Sequence, residues 1–234
     1  ASFCGCSDLS KVNGNRCVSE YQLVPKNVTM NYILRGEKEE VNFIVYKKLS
    51  DYLSEIPRYI NSDENPTLLD FKLRMIDEKQ QRELLLPLVI QIENITKNKE
   101  EQARIAISLV QNIPFENSNK TFNMGNIVLE YQRYPYEVLY DMEGICSEKA
   151  ELLVFLFREI GYGSAFLYYP AENHEAVGIK CPKEKANAEE YCFIETTGPS
   201  ILTDDKTEYF TTTRQLNSAP RVMIHSEGLP LGEE

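Results

Sequence analysis

The stretch EGICSEKAELLVFLFREIGY, residues 143–162, decides how the chain is read. From Leu152 to Phe157 six apolar residues run unbroken, so the pattern predicts a centrally buried helix with little polar face. Gly144 is expected to permit a tight turn before it, and Gly161 a left-handed cap after it. Cys146 then stands at the helix N-terminus, where unpaired amide donors and the positive end of the dipole favour a thiolate. The same residue reads equally well as a packed core cysteine, the usual fate of a free thiol. The rest of the chain has to decide.

Downstream of this helix the texture changes. SAFLYY at 164–169, HEAVGIK at 174–180 and YCFIETT at 191–197 read as strands, with the polar run 183–190 as a connection, and PRVMIH at 220–225 adds another. Upstream, residues 21–34 alternate in part and suggest one or two short strands. Tyr46, Leu49, Leu53 and Ile56 fall at helical spacing within 45–56. Asn65-Pro66-Thr67 reads as a helix start, with Leu68, Phe71 and Met75 as its buried stripe. Pro87 is expected to break or offset the next helix. Residues 100–112 form a helix that turns Ile105, Leu109 and Val110 inward and ends before Pro114. Helices first and antiparallel strands later make an α+β protein, its central helix packed on an antiparallel sheet behind a helical N-terminal half. The expected organisation is a flexible lead-in over 1–20, strands and helices over 21–99 packed on the core, and the core itself over 100–234. Together these make one elaborated domain.

Composition removes several classes of function. The formal net charge is -11, and no basic stripe is present for a nucleic acid, so none is expected as a partner. The excess acid serves solubility and suits basic or neutral partners. No apolar run reaches the roughly 20 residues that span a bilayer. Because the chain starts at Ala1, a removed signal or anchor is compatible with it. With two histidines, His174 and His225, a multi-histidine metal centre is excluded, and no cofactor is expected. Cys4, Cys6 and Cys17 read either as an incomplete zinc site or as one disulfide with a thiol left over. Sequons stand at Asn27, Asn94 and Asn119, about as many as chance supplies.

Thiol catalysis needs a base, and a third group that orients the base. His174 follows Cys146 by 28 residues on the first strand of a hairpin, and Glu195 follows by another 21 on the second. If His174 faces Glu195, then Ala176 faces Phe193 and Gly178 faces Tyr191, all on one side of the sheet. A helix N-terminus packed over that side would complete Cys, His and carboxylate. In this register position 192 lies four residues from the partner of Cys181, roughly 13 Å away, so a regular ladder excludes a Cys181–Cys192 bridge. The triad is the preferred reading unless a bulge or curled tip admits both. His225 is taken as structural.

These residues resemble a known family. RYPYEVLYDMEGICSEKAELLVFLFREIGY, then NHEAVGI, then YCFIETTGP, is similar to the core of the transglutaminase-like superfamily, especially its microbial and archaeal members. The resemblance covers roughly residues 100–200. Its most specific part is the series Tyr-Pro-Tyr-Glu, Gly-x-Cys, Glu-x-Ala-x-Leu-Leu and Arg-Glu-x-Gly-Tyr. It implies a papain-like site in which Cys146 is the nucleophile, His174 the general base and acid, and Glu195 the acidic member, where the family usually has Asp. LVQNIPF resembles the helix preceding the site, which makes Gln111 a candidate to assist the oxyanion hole beside the Cys146 backbone N–H. The chain departs from animal transglutaminases in having no Trp.

The implied chemistry is acyl transfer through a thioester, resolved by water in a peptidase or amidase and by an amine in a transglutaminase. Hydrolysis of a peptide or isopeptide bond is the preferred expectation, with a protein or peptide as substrate. Protein-glutamine transglutamination is the alternative, and a non-catalytic binding or scaffolding module the second. The expected location is extracytoplasmic or secreted, anchored in a longer form, with a cytoplasmic home as the other reading. Oligomeric state stays open.

Overall fold

The computed structural model describes residues 20–58, 65–124, 127–200 and 215–232. The expected lead-in, with Cys4, Cys6 and Cys17, lies outside them except for Glu20.

The N-terminal half begins with a hairpin of two ten-residue strands, β1 (Pro25–Leu34) and β2 (Glu37–Tyr46). Arg35 and Gly36 join them with φ of 53° and 85°, the positive pair a two-residue type I′ turn requires. Val28, Met30 and Tyr32 alternate with exposed residues, and Val41, Phe43 and Val45 do the same opposite them, so one face is buried. Sequence reading missed β2, because Glu37-Lys38-Glu39-Glu40 hides its period-2 pattern. The helix expected over 45–56 therefore starts later, as α1 (Lys47–Glu55).

Helix α2 (Leu68–Ile76) starts as expected: Thr67 Oγ1 accepts from the Asp70 amide, and Asp70 Oδ2 from the Thr67 amide. Its buried stripe is Lys72, Met75 and Ile76, while Leu68 is exposed. Helix α3 (Lys79–Ile95) runs through Pro87 unbroken, contrary to expectation. Pro87 and Glu83 both face solvent, so the carbonyl that loses its helical partner belongs to an exposed residue, where water can replace the lost bond. Helix α4 (Lys99–Gln111) is capped by Asn98 and buries Ile105, Leu109 and Val110 as its spacing predicts.

A short hairpin, β3 (Thr121–Met124) and β4 (Ile127–Glu130), leads to α5 (Pro135–Asp141) and then to α6 (Cys146–Ile160). Helix α6 is buried along nearly its whole length, and Gly161 closes it at φ 107°. The left-handed residue ahead of α6 is Met142, not Gly144. Gly144 is needed for close packing: a Cβ there would stand 3.3 Å from both Lys149 Cγ and Val138 Cγ1.

The C-terminal sheet has the order β7-β6-β5-β8, all antiparallel, from β5 (Ser164–Tyr169), β6 (His174–Lys180), β7 (Tyr191–Ile194) and β8 (Arg221–Ser226). The expected strand at 191–197 stops at Ile194. One continuous apolar core joins α6 to Val177, Ile179 and Ile194 of this sheet and to the N-terminal hairpin. The opposite face packs Leu167, Tyr169, Ala176 and Phe193 against Leu216 and Val222. The protein is therefore α+β, with a central helix on an antiparallel sheet. Among the described residues no helix is long and apolar enough to cross a membrane.

The register of β6 on β7 differs from expectation by two residues: Gly178 faces Phe193 and Lys180 faces Tyr191. A slip of two keeps every side chain on its expected face, so periodicity could not reveal it. It does bring Cys181 to within 5.8 Å of Cys192 between Cα atoms, and a disulfide joins them. The bridge and the His174–Glu195 contact coexist, which overturns the expectation that one excludes the other. We predict that replacing both cysteines with alanine lowers stability by about 3 kcal/mol, the chain-entropy value for so short a loop. The guanidinium unfolding midpoint under non-reducing conditions measures it. An unchanged midpoint would mean that the β6–β7 ladder alone holds the hairpin.

Candidate active site

Cys146 is the first residue of α6 and is partly exposed. Ile145, at the N-cap, has no side chain to bond the first-turn amides, which leaves donors of that turn at the site. Backbone bonds hold the approach: the Gly144 amide donates to Pro114 O (3.1 Å) and the Glu116 amide to Gly144 O (3.4 Å). Glu148, one turn into α6, reaches back to accept from the Ile145 amide at 3.0 Å.

Arg133 fastens this loop from behind and is 1% exposed. Its guanidinium meets Glu148 and Asp141 at 3.1 Å each, donates to Glu116 O at 3.1 Å, and pairs with Glu143. One fork thus binds the segment before β3, the end of α5, the turn and the first turn of α6. Such planar, multidentate pairing suits arginine and not lysine.

His174 opens β6, and Glu195 follows the last residue of β7, so both sit where the chain leaves the ladder. His174 Nε2 and Glu195 Oε2 are 2.8 Å apart, with both side chains 3% exposed. The other oxygen, Glu195 Oε1, accepts from the amides of Thr196 (2.8 Å) and Thr197 (2.9 Å) and from Thr197 Oγ1 (2.8 Å). This fork fixes the carboxylate: it turns back onto its own chain through Oε1 and leaves Oε2 for His174. Cys146 is in hydrogen-bond contact with the His174 ring, and Thr196 Oγ1 donates to Cys146 O at 3.4 Å. Helix α6 does not lie over the His174 face as expected. It packs on the opposite face, that of Val177 and Ile194, and its N-terminus meets His174 at the rim of the sheet.

Burial opposes a charge on His174, but hydrogen bonds to Cys146 and Glu195 outweigh it and hold the ring pKa up at about 9. Glu195 is likewise penalised by burial, yet His174 and the Thr197 groups keep it below the ordinary carboxylate range. Lys149, fully buried one turn after Cys146, is lowered to about 8 by burial, with Glu195 and Cys146 opposing that shift. His225 is pushed down to about 4 by burial and the neighbouring Arg158. It lies apart from the site, against Phe166 and Ser164, in keeping with a structural role.

The structure brings Cys146, His174 and Glu195 together and sets Gln111 one step behind them. The Gln111 amide donates to Glu195 O at 2.8 Å and to Ser200 Oγ at 3.3 Å, so the contacts it makes here anchor the Glu195 backbone. Sequence reading singled out neither Arg133 nor Lys149. One signal was present for the lysine: Glu148, Lys149 and Glu151 interrupt a helix that has no polar face, so each must place its polar group inside the core, where burial raises the Glu151 pKa to about 8. Glu151 shares Lys72 with Glu175, at 3.4 and 2.8 Å. Among the described residues no group of three His, Cys, Asp or Glu is arranged to hold a metal ion.

No protein-family model matches the chain, and no curated protein does. Among solved structures, calcium-bound LapG of Legionella pneumophila aligns over 80% of this chain and 91% of its own, at 14% identity and a TM-score of 0.29.

Proposed function

We propose that the protein is a thiol-dependent acyl-transfer enzyme, a cysteine peptidase or amidase of transglutaminase-like type acting on a peptide or isopeptide bond. The observation that carries this reading is the placement of one buried imidazole between a partly exposed thiol at a helix N-terminus and a buried carboxylate. Glu195 occupies His174 Nε2, so Nδ1 is the ring nitrogen left for the thiol. In this reading the Cys146 thiolate, held beside the His174 imidazolium, attacks the substrate carbonyl carbon. The oxyanion that forms meets first-turn amides of α6, the Cys146 N–H among them. The imidazolium then protonates the leaving amine as the C–N bond breaks, leaving a thioester. Water, deprotonated by His174, attacks the thioester, and the carboxylic acid departs as the thiol is restored. Glu195 holds the ring in the required tautomer throughout. The site lies outside the cytosol in this proposal, a reading the Cys181–Cys192 disulfide supports.

The test is the rate of iodoacetamide alkylation at Cys146 across pH, followed by peptide mapping, in the wild type and in His174→Ala. Because His174 keeps its proton up to about pH 9, the imidazolium faces the thiol throughout the neutral range. The expected result is fast labelling at about pH 6.5, slowed at least about tenfold in the variant. Equal and slow labelling in two folded proteins would leave a structural cysteine in a binding module.

A further inference from the structure

We infer that Lys149 is a positioning residue of the site: its buried ammonium, anchored on the C-terminal end of α4, supplies the cation that balances Cys146 and Glu195. The inference rests on the proposed function and adds to it a fourth charged member.

Three observations carry it. Lys149 is 0% exposed, in an interior where lysine is rare unless its charge is answered. Its Nζ donates to Ile113 O at 2.6 Å and reaches Gln111 O at 3.5 Å. Those carbonyls close α4, whose negative dipole end favours a cation, while Cys146 stands at the positive end of α6. Lysine thus bridges two helix ends of opposite polarity. The third observation is the charge balance. With the thiolate that the proposed function requires, Cys146, His174 and Glu195 together carry one net negative charge, and Glu195 and His174 are both buried. Burying uncompensated charge is costly, and Lys149 is a second cation, beside His174, that interacts with both Cys146 and Glu195.

The groups facing the ammonium can be named element by element. From α6 comes Cys146, and from the residues after β7 comes Glu195, itself paired with His174 of β6. The end of α4 and Ile113 offer carbonyls only. Glu148, next in the chain, is engaged by Arg133. Burial lowers the Lys149 pKa to about 8, so its charge is present at neutral pH and fades as the medium turns alkaline.

The test compares iodoacetamide alkylation of Cys146 in the wild type, Lys149→Met and Lys149→Arg. Methionine keeps length and apolar packing but removes the charge. The expected result at about pH 6 is a rate about tenfold lower in Lys149→Met, equivalent to one unit in the apparent thiol ionisation. The rates should converge above about pH 9, where the wild-type lysine is also neutral, and arginine should restore most of the acid-side rate. Loss of packing alone would lower the rate at every pH. Equal acid-side rates in the wild type and a folded Lys149→Met would overturn the inference and leave the proposed function standing. Slow, His174-independent labelling of the wild type would overturn both. Should Lys149→Met not fold, a reciprocal measurement decides. The pKa of Lys149, read by NMR of ¹³Cε-labelled lysine, should fall when Cys146→Ala removes the thiolate, because coupling between two sites is mutual. An unchanged value would overturn the inference.

Discussion

Arg133→Met is expected to destabilise the protein by about 3–5 kcal/mol, the usual cost of removing one partner from a buried ion pair. Four groups lose the guanidinium at once: Glu148, which keeps only backbone amides, Asp141, Glu143 and the Glu116 carbonyl. Glu148 decides the magnitude because it is fully buried, and burial already raises its pKa. In the variant that pKa rises further above its unfolded value, so the folded state favours the protonated acid. The deficit should therefore be larger at about pH 8 than at about pH 5, where Glu148 can take up a proton. Guanidinium unfolding at the two pH values measures both effects. A loss below about 1 kcal/mol at both would show that the Arg133 network is a surface-like set of pairs. Because the same fork holds the turn before α6, Cys146 labelling should also slow under conditions where the variant remains folded.

The second large effect is expected at Glu195. In Glu195→Gln the Thr196 and Thr197 amides still find an oxygen, so the local fold should survive. The imidazolium, however, loses its anion. Burial then works against the ring with only Cys146 in opposition, and the His174 pKa should drop from about 9 towards its ordinary value of 6.5. An amide that donates to Nε2 would also place the ring proton on Nδ1, the tautomer unable to take a proton from the thiol. The corresponding Asp→Asn change in a serine protease triad lowers turnover by about 10⁴. Labelling of Cys146 at about pH 7.5 should fall at least about tenfold.

The chain has two histidines, so ring-proton NMR reports His174 directly. In the wild type one resonance should titrate near 9 and the other, His225, near 4. In Glu195→Gln the first should move down by a unit or more while the second stays. Two resonances unchanged by the substitution would refute the His174–Glu195 coupling. The raised His174 pKa also has a sign in stability. Its contribution is fully present below about pH 6.5 and is lost as pH rises through about 9. Glu195→Gln should remove that alkaline slope.

Much of the α+β pattern could be read locally. Both ends of β6 were legible because a histidine at one end and a Lys-Cys-Pro break at the other bound a period-2 run. The limits of α6 were legible because an apolar run is closed by Gly161, which alone tolerates φ 107° without cost. Strand β2 was hidden, since its outer half is charged and only its pairing with β1 makes it a strand. Pro87 misled because a proline's damage depends on what its unbonded carbonyl faces, and that is a property of the packed molecule.

The site divides the same way. Residue type and order were enough to single out Cys146, His174 and Glu195 as candidates, because thiol, imidazole and carboxylate are chemically distinctive and strand periodicity assigns His174 and Glu195 a face. Three things needed the tertiary structure: the β6–β7 register, the face on which α6 packs, and the partners of Gln111, Arg133 and Lys149. A two-residue slip leaves every side chain on the same face, so periodicity is blind to it, yet it decides whether Cys181 meets Cys192. The charges on Arg133 and Lys149 are visible in the chain, and the apolar helix around Lys149 signals its burial, but the burial of Arg133 and the partners of both are not visible. Whether such a charge is solvated or locked depends on residues far away in sequence, which only the closed fold brings within hydrogen-bond distance.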